Sequence, residues 1–407
     1  MLNDDAWQRV CDALDLPGRT AGGSLATVTA DELKRYGHRE PRLMAKIDHR
    51  GQLPAPFVEH KWGILPVARG RYVIGHFEMF STMPAPAGPA QALPDISALE
   101  TVSARSGLGE TAALFVLHSS GALAQFAQEE NATVTFFGRR GSGDFDFTIG
   151  SKTDISVSGA QMEIDAVVEC PESILLIEAK REGDGTFVTR QLYYPYRALS
   201  AQYRKPIRPM YLIVGDSSLR LVEFEFTDPH DYGSIRELRQ SRYVFTSWRD
   251  TSLTELAAGQ PARRPPDLPF PQADSIDRLI RIVTAGTTDS DLLYEEQAFV
   301  PRQSAYYLNA ARYLGFLDGD RLTDVGRELI DLPAPRRSLV VAKQILALTP
   351  FRRALAGVDP ETVVAEAAPG LSGNTIRRRA RTVQAWMDWL HEQEAASYAL
   401  DVGPELC

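Results

Sequence analysis

The pattern of hydrophobic and polar positions divides the chain into three segments. The first, residues 1–80, opens with an amphipathic helix around Ala6–Leu14 and closes with two β-rich runs that flank a turn at Ala68–Gly70. The second, residues 96–258, alternates helix and strand, and the third, 273–395, has apolar residues at helical spacing. This order predicts an α/β (α+β) protein: an N-terminal α/β domain, a mixed sheet with flanking helices, and a C-terminal helical domain.

Two proline-rich stretches separate these segments. Ser81–Asp95 and Gln260–Gln272 lack both helical and strand periodicity. Because proline donates no backbone hydrogen bond, such stretches tend to run over the surface, and we predict two linkers. A length of 407 residues also exceeds what one hydrophobic core normally organises, which favours two or three domains.

A strand-like hairpin in the middle segment carries charges that strand interiors usually avoid. It reads QMEIDAVVECPESILLIEAKREG, with Asp165 in one arm and Glu178 and Lys180 in the other. If CPES closes the hairpin, Asp165 lies opposite Glu178, and Glu163 lies opposite Lys180. Side chains two residues apart share a face of a strand, so all four charges would crowd one face, with opposed Cβ atoms about 5 Å apart.

These charges suit phosphodiester hydrolysis. Two close carboxylates repel each other and are driven toward protonation, and a divalent cation relieves that repulsion. Hard oxygen ligands suit Mg²⁺, which also keeps waters and takes phosphate oxygens. Lys180 beside the carboxylates can position or deprotonate a water, or stabilise charge that develops on phosphorus.

The hairpin resembles the signature of the PD-(D/E)XK nuclease superfamily. The matching residues are Asp165 followed by Glu178-Ala179-Lys180, with Ile164 where the family often has proline. Together with the following RQLYYPYRAL, the pattern resembles a group of type II restriction endonucleases with a C-terminal winged helix. The resemblance implies a restriction-endonuclease-like sheet, Mg²⁺ held by Asp165, Glu178 and Ala179, a catalytic Lys180, and sequence-specific cleavage of double-stranded DNA.

Three more residues are catalytic candidates by this resemblance. Glu110 begins the preceding helix, where the superfamily often has an auxiliary acid, although a first-turn acid also suits the helix dipole. Gln191 begins the following helix, where some members place a glutamine that helps the lysine, and it can equally be an ordinary helix residue. Glu163 competes with Asp165 as the first metal acid; we favour Asp165, because it would face Glu178.

Candidate DNA contacts lie next to the hairpin and in the third segment. Arg139 and Arg140 fall in the glycine-rich stretch GRRGSGDF, which we expect to be a flexible loop near the site. Arginine there can grip phosphate or read guanine. The alternative is an exposed loop with incidental charge.

The third segment has the order helix, helix, strand, Asp-Gly turn, strand, helix, which suggests a winged helix-turn-helix. We expect Leu308, Ala311 and Leu314 in its core. The DNA-contacting candidates are Arg302, Gln303, Tyr306 and Asn309 on or near the exposed face of the recognition helix, and Arg321 on the wing. The alternatives are that this module mediates dimerisation or supports the fold. The RRRAR run at Arg377–Arg381 can either contact phosphates or simply solvate a helix.

Composition limits the possible cellular locations and partners of the protein. A net charge of −9 argues mildly against nonspecific coating of nucleic acid but allows a local basic cleft. The three cysteines are scattered without metal-ligand spacing, the apolar runs are short, and the N-terminus lacks a signal-peptide pattern. We therefore expect a cytoplasmic protein with reduced thiols, no structural zinc and no membrane partner.

The leading hypothesis is a Mg²⁺-dependent type II restriction endonuclease that binds double-stranded DNA. The resemblance implies a separate cognate DNA methyltransferase, and a homodimer is an open alternative to a monomer. Two other hypotheses are a repair or mobile-element nuclease of the same fold, and a DNA-binding regulator with an inactive nuclease fold. The intact Asp165, Glu178 and Lys180 disfavour the regulator.

Overall fold

The N-terminal segment folds around a small antiparallel sheet. Its elements are α1 (Leu2–Leu14), α2 (Leu16–Arg19), β1 (Ala26–Thr29), α3 (Ala30–Gly37), α4 (Pro41–Met44), α5 (Ala55–His60), β2 (Gly63–Ala68) and β3 (Arg71–Gly75). Strand β3 pairs antiparallel with both β1 and β2. The predicted β2–β3 hairpin is confirmed, and Gly70 in its turn has a φ of +68°, which favours glycine. Trp7 on α1 packs edge-on against Phe57 on α5, with ring centres 4.6 Å apart.

The computed structural model describes residues 2–94, 96, 99–101, 108–150, 153–245, 248, 251–290, 292–293, 299 and 301–398. The elements of the middle segment are β4 (Phe80–Thr82), β5 (Ala90–Leu93), α6 (Glu110–Ser119), α7 (Ala122–Ala127), β6 (Thr133–Gly141), β7 (Asp144–Ile149), β8 (Thr153–Ser158), β9 (Gln161–Glu169), β10 (Ile174–Arg181), β11 (Thr186–Val188), α8 (Arg190–Ser200), β12 (Ile207–Val214), β13 (Ser218–Phe226) and β14 (Ile235–Phe245).

The central sheet of the described residues has seven strands in the order β5-β14-β13-β12-β10-β9-β6. Strand β9 runs antiparallel to β6 and β10, whereas β5 runs parallel to β14. Helix α8 packs against β9 and β10. The predicted α+β fold, a mixed sheet with flanking helices, is therefore confirmed.

Two expectations about irregular chain are wrong. The stretch Ser81–Asp95 is not a simple linker, because it contributes to β4, which pairs with β11, and contains β5. Its prolines lie between and beyond these short strands, so they cost no ladder hydrogen bonds. The stretch with Arg139 and Arg140 is not a loop either, because both residues belong to β6. Gln260–Gln272, by contrast, contains no helix or strand apart from one isolated bridge.

The C-terminal segment is helical with a very short hairpin. Its elements are α9 (Leu253–Ala258), α10 (Ile276–Thr284), α11 (Pro301–Tyr313), β15 (Leu317–Asp318), β16 (Arg321–Leu322), α12 (Asp324–Asp331), α13 (Ala334–Ala347), α14 (Thr349–Leu355), α15 (Pro360–Ala367) and α16 (Gly373–Tyr398). The predicted order of helix, hairpin and helix is confirmed, and Gly319 at the hairpin tip has a φ of +55°. Leu308, Ala311 and Leu314 are buried as predicted.

The described chain divides into two compact units. The first contains the chain up to Pro86 together with Leu123–Leu212 and Leu221–Gln240. The second contains Ala87–Ala122, Ile213–Arg220 and the chain from Ser241 onward. Within the described residues, none of the helices combines the length and the apolar character that a membrane crossing requires.

Candidate active site

The β9–β10 hairpin has the register that the sequence predicted. Ile177 pairs with Ala166, so the next pair along the two strands is Glu178 with Asp165. Strand β10 lies between β9 and β12, and its side chains from Ile174 to Ala179 are all buried. A strand covered on both faces needs such a continuous apolar run. Glu178 interrupts that run and is only 5% exposed.

One lysine joins the two carboxylates of this hairpin. The Nζ atom of Lys180 lies 2.5 Å from Oε1 of Glu178 and 3.4 Å from Oδ2 of Asp165. It also donates to the Ala179 carbonyl oxygen at 3.1 Å, while the Ala179 N–H donates to Asp165 Oδ2 at 2.8 Å. The four residues of the predicted motif therefore form one connected cluster.

The electrostatics of Glu178 show that Lys180 alone does not compensate the carboxyl groups of this cluster. Burial raises the pKa of the Glu178 carboxyl to about 8, and the nearby charges of Asp165 and Asp48 raise it as well. The ion pair with Lys180 lowers the pKa but does not outweigh burial. Without a further cation, this carboxyl is mostly protonated at neutral pH.

Asp48 is a candidate that the sequence reasoning missed. Its Oδ1 accepts a hydrogen bond from Nε2 of Gln191 at 3.4 Å, at the first turn of α8. The Asp48 carbonyl oxygen accepts from the N–H of Val188 at 3.2 Å, which ties this loop to β11. Its neighbours in the sequence, DHRG, are merely polar, so only the fold reveals that Asp48 lies close enough to influence Glu178.

The loop that carries Asp48 is held by Asp184. Asp184 Oδ2 accepts from the Gly51 N–H at 2.6 Å and lies 3.2 Å from Nδ1 of the buried His49. Burial would raise the pKa of Asp184, but hydrogen bonds from His49, Thr186 and Gly51 outweigh it and keep the pKa below its ordinary value. The loop therefore has a fixed place beside β11.

The oxygen atoms of this cluster fit a hard divalent cation. Among the described residues, no three His, Cys, Asp or Glu side chains are grouped as a complete metal site. Asp165 and Glu178 supply two carboxylates, however, and Oε1 of Gln191 is buried without a hydrogen-bond partner in the described chain. Mg²⁺ usually takes one or two carboxylates and keeps several waters, so the residues present are compatible with it.

Two predicted catalytic acids have other surroundings. Glu163 lies opposite Arg139 on β6 and forms an ion pair with it at 3.9 Å, rather than with Lys180. Both side chains are more than half exposed, at 61% and 53%, so this pair contributes little to stability. Glu110 is the first residue of α6, where an acid suits the helix dipole, and it belongs to the second compact unit.

The two arginines expected on a flexible loop are strand residues with partners. Arg139 pairs with Glu163, as described above. Arg140 donates from Nη2 to Oε1 of Gln202 at 2.8 Å, and its guanidinium lies over the Phe136 ring. Their place in β6 therefore constrains the backbone of both arginines, which a glycine-rich loop would not do.

Two of the proposed base-reading side chains already have hydrogen bonds within the second unit. Gln303 is half-buried, and its Oε1 accepts from Nη2 of Arg278 at 3.0 Å. Asn309 donates from Nδ2 to the carbonyl oxygen of Pro269 at 2.9 Å. Each bond occupies one end of the amide, so the bidentate contact by which an amide reads adenine would require this bond to be exchanged.

Of the other three candidates, the two arginines are more accessible. Arg302 is exposed and donates from Nε to the hydroxyl oxygen of the half-buried Tyr306 at 3.0 Å. Arg321 is exposed at the start of β16.

Comparison with known proteins identifies no activity. Residues 4–74, 75–244 and 276–395 match three family models, each described as a domain of unknown function (DUF6996, DUF6997 and DUF7226, respectively). No curated protein and no solved structure matches the chain significantly.

Proposed function

We propose that this chain is a Mg²⁺-dependent endonuclease that hydrolyses phosphodiester bonds in double-stranded DNA. The observation that carries the proposal is the contact of Lys180 Nζ with both Asp165 and Glu178 on adjacent strands. The raised pKa of the buried Glu178 supports it, because a carboxyl with too little positive charge around it favours cation binding. Carboxylates, a cation and a lysine together are what this hydrolysis needs.

In the proposed reaction, water attacks the phosphorus, one P–O ester bond breaks, and a phosphate monoester end and a hydroxyl end result. Lys180, held by two carboxylates, stabilises the negative charge that develops on the phosphate oxygens. The buried Oε1 of Gln191, which has no partner among the described residues, can accept a hydrogen bond from the attacking water. A bound Mg²⁺ would supply Lewis-acid stabilisation of the same developing charge.

The more specific proposal is a type II restriction endonuclease. It is supported by the resemblance of EID, EAK and RQLYYPYRAL to that group, and by the helix, hairpin and helix order of the second unit. The proposal includes a cytoplasmic location, which the unpaired, buried Cys11 and Cys170 favour, and a methyltransferase on a separate chain. The winged-helix-like segment would supply part of the sequence reading.

Digestion of unmethylated plasmid DNA tests the proposal. With Mg²⁺ we expect discrete fragments, and with EDTA we expect none. A smear would indicate a nuclease without sequence preference, and intact plasmid that is nevertheless bound would indicate a regulator.

The lysine provides the sharper test. Lys180→Gln should abolish cleavage while DNA binding persists, because it removes a reacting group and keeps most of the side chain's bulk. Lys205→Gln is the matched control, since Lys205 also pairs with an acid on β9, at 2.8 Å from Glu169. Cleavage by Lys180→Gln at the wild-type rate would refute the assignment.

A further inference from the structure

One arginine of helix α16 is buried, and two of its nitrogen atoms have no hydrogen-bond partner in the described chain. Arg379 is 8% exposed, yet its Nε and Nη1 atoms make no hydrogen bond to any described residue. Burial and the charge of Arg378 hold the pKa of Arg379 below its ordinary value. A guanidinium nevertheless keeps its charge in proteins, so these donors need an acceptor, and preferably an anionic one.

The charge of Arg378 and the hydroxyl groups of Tyr306 and Tyr313 act on this guanidinium. Arg302 donates to the Tyr306 hydroxyl oxygen at 3.0 Å, and that bond, with the charges of Arg302, Arg378 and Arg379, holds the pKa of Tyr306 below its ordinary value. The Tyr313 hydroxyl is buried without a hydrogen-bond partner in the described chain. Burial raises its pKa, and the charge of Arg379 lowers the pKa only in part. We call Arg302, Tyr306, Arg378 and Arg379 the arginine cluster.

The arginine cluster differs from other arginines in the second unit. Arg312 pairs with Asp320 at 2.8 Å and Arg327 with Asp324 at 2.5 Å, so these charges are matched within the chain. No carboxylate of the described residues is bonded to Arg302, Arg378 or Arg379, and none contributes to the pKa shift of Arg379. The cluster thus concentrates positive charge in a protein whose net charge is −9.

We propose that the arginine cluster binds a phosphate group of a nucleic-acid backbone. Guanidinium and phenol groups donate to phosphate oxygens, and guanidinium groups do so in a planar geometry that suits them. Arg377 and Arg381 are exposed on the same stretch of α16, so the positive charge extends beyond one anion and suits a polyanion. The inference rests on the proposed function only in taking DNA as the source of the phosphate.

Binding of the full chain to a fluorescent DNA duplex, measured by anisotropy in EDTA, tests this inference without cleavage. Arg302→Gln, Arg378→Gln and Arg379→Gln should each lower affinity severalfold and reduce the slope of log K against log salt by about 0.9. Arg353→Gln is the matched control, because Arg353 is a partly exposed arginine that pairs with Glu366. It should leave the slope unchanged.

Unchanged affinity and slope for Arg302→Gln and Arg378→Gln would overturn the inference. Both side chains are exposed, so these variants should fold even if Arg379→Gln does not. A thermal shift assay with inorganic phosphate distinguishes free phosphate from the phosphate of a DNA backbone. Suppose that inorganic phosphate stabilises the wild type but not Arg379→Gln, while the affinity of the variants for DNA is unchanged. The cluster then binds a small anion only, and the backbone assignment is wrong. Because no cleavage is measured, failure of the nuclease proposal would be seen separately.

Discussion

The buried carboxyl of Glu178 should make the metal-free protein less stable as the pH rises. Burial raises its pKa from 4.5 to about 8, so between these pH values the folded protein holds a proton that the unfolded chain has released. By linkage, the resulting stabilisation is fully present below pH 4.5 and is lost as the pH rises through about 8.

The size of this change in stability follows from the difference between the two pKa values of Glu178, 4.5 and about 8. At about 1.4 kcal/mol per pH unit, the stabilisation that is lost is on the order of 5 kcal/mol. A typical domain has only about 5–15 kcal/mol of total stability, so the change should be easy to measure. Glu178→Gln removes the titrating group with little change in volume, and it should remove this pH dependence.

Urea unfolding in EDTA, between about pH 5 and pH 8, measures the effect. The wild type should lose several kcal/mol more than Glu178→Gln over this range, and Glu163→Gln should behave like the wild type because Glu163 is exposed. Added Mg²⁺ should flatten the wild-type profile, since a cation would replace the proton. Parallel profiles for the wild type and Glu178→Gln would refute the reasoning.

Three further predictions concern the surroundings of Glu178 and the framework of the first unit. Asp165→Asn should eliminate plasmid cleavage and Glu163→Gln should reduce it only moderately; the opposite ranking would make Glu163 the first metal acid. Asp48→Asn should slow single-turnover cleavage about tenfold, because Asp48 positions Gln191, and an unchanged rate would remove Asp48 from the site. Glu223→Gln should cost about 3 kcal/mol in urea unfolding, since buried Glu223 accepts from two arginines; a loss below about 1 kcal/mol would contradict this.

The hairpin was predictable because its interactions are local. A four-residue turn joins two apolar arms, and the position of this turn alone determines which residues of the two arms face each other. Asp165, Glu178 and Lys180 therefore meet as the sequence indicates. Asp48 was not predictable, because it reaches this neighbourhood only through the packing of a distant loop on β11.

The sequence did not predict strand β5, because its pattern of apolar and polar residues is weak. β5 lies between prolines, and the stretch Ala90–Leu93 is a strand because it pairs with the parallel partner β14, which is distant in sequence. In α11, the helical period correctly predicted the buried face, but it could not reveal that Gln303 and Asn309 have partners on other elements. Periodicity reports which side of an element is covered, whereas hydrogen-bond partners depend on tertiary structure.

The pairing of buried charges distinguishes residues that stabilise the fold from residues of the candidate sites. Buried Glu223 is bonded to Arg208 and Arg239, and its pKa falls below the ordinary value because those bonds outweigh burial. Glu178 and Arg379 behave differently: burial dominates the pKa shifts of both, and their neighbours include charges of the same sign. Glu178 is thus a buried anion and Arg379 a buried cation that the described part of the chain leaves incompletely compensated, and these are the charges that the proposed Mg²⁺ ion and phosphate group would complement. The cleavage and phosphate-binding experiments therefore probe these two charges separately.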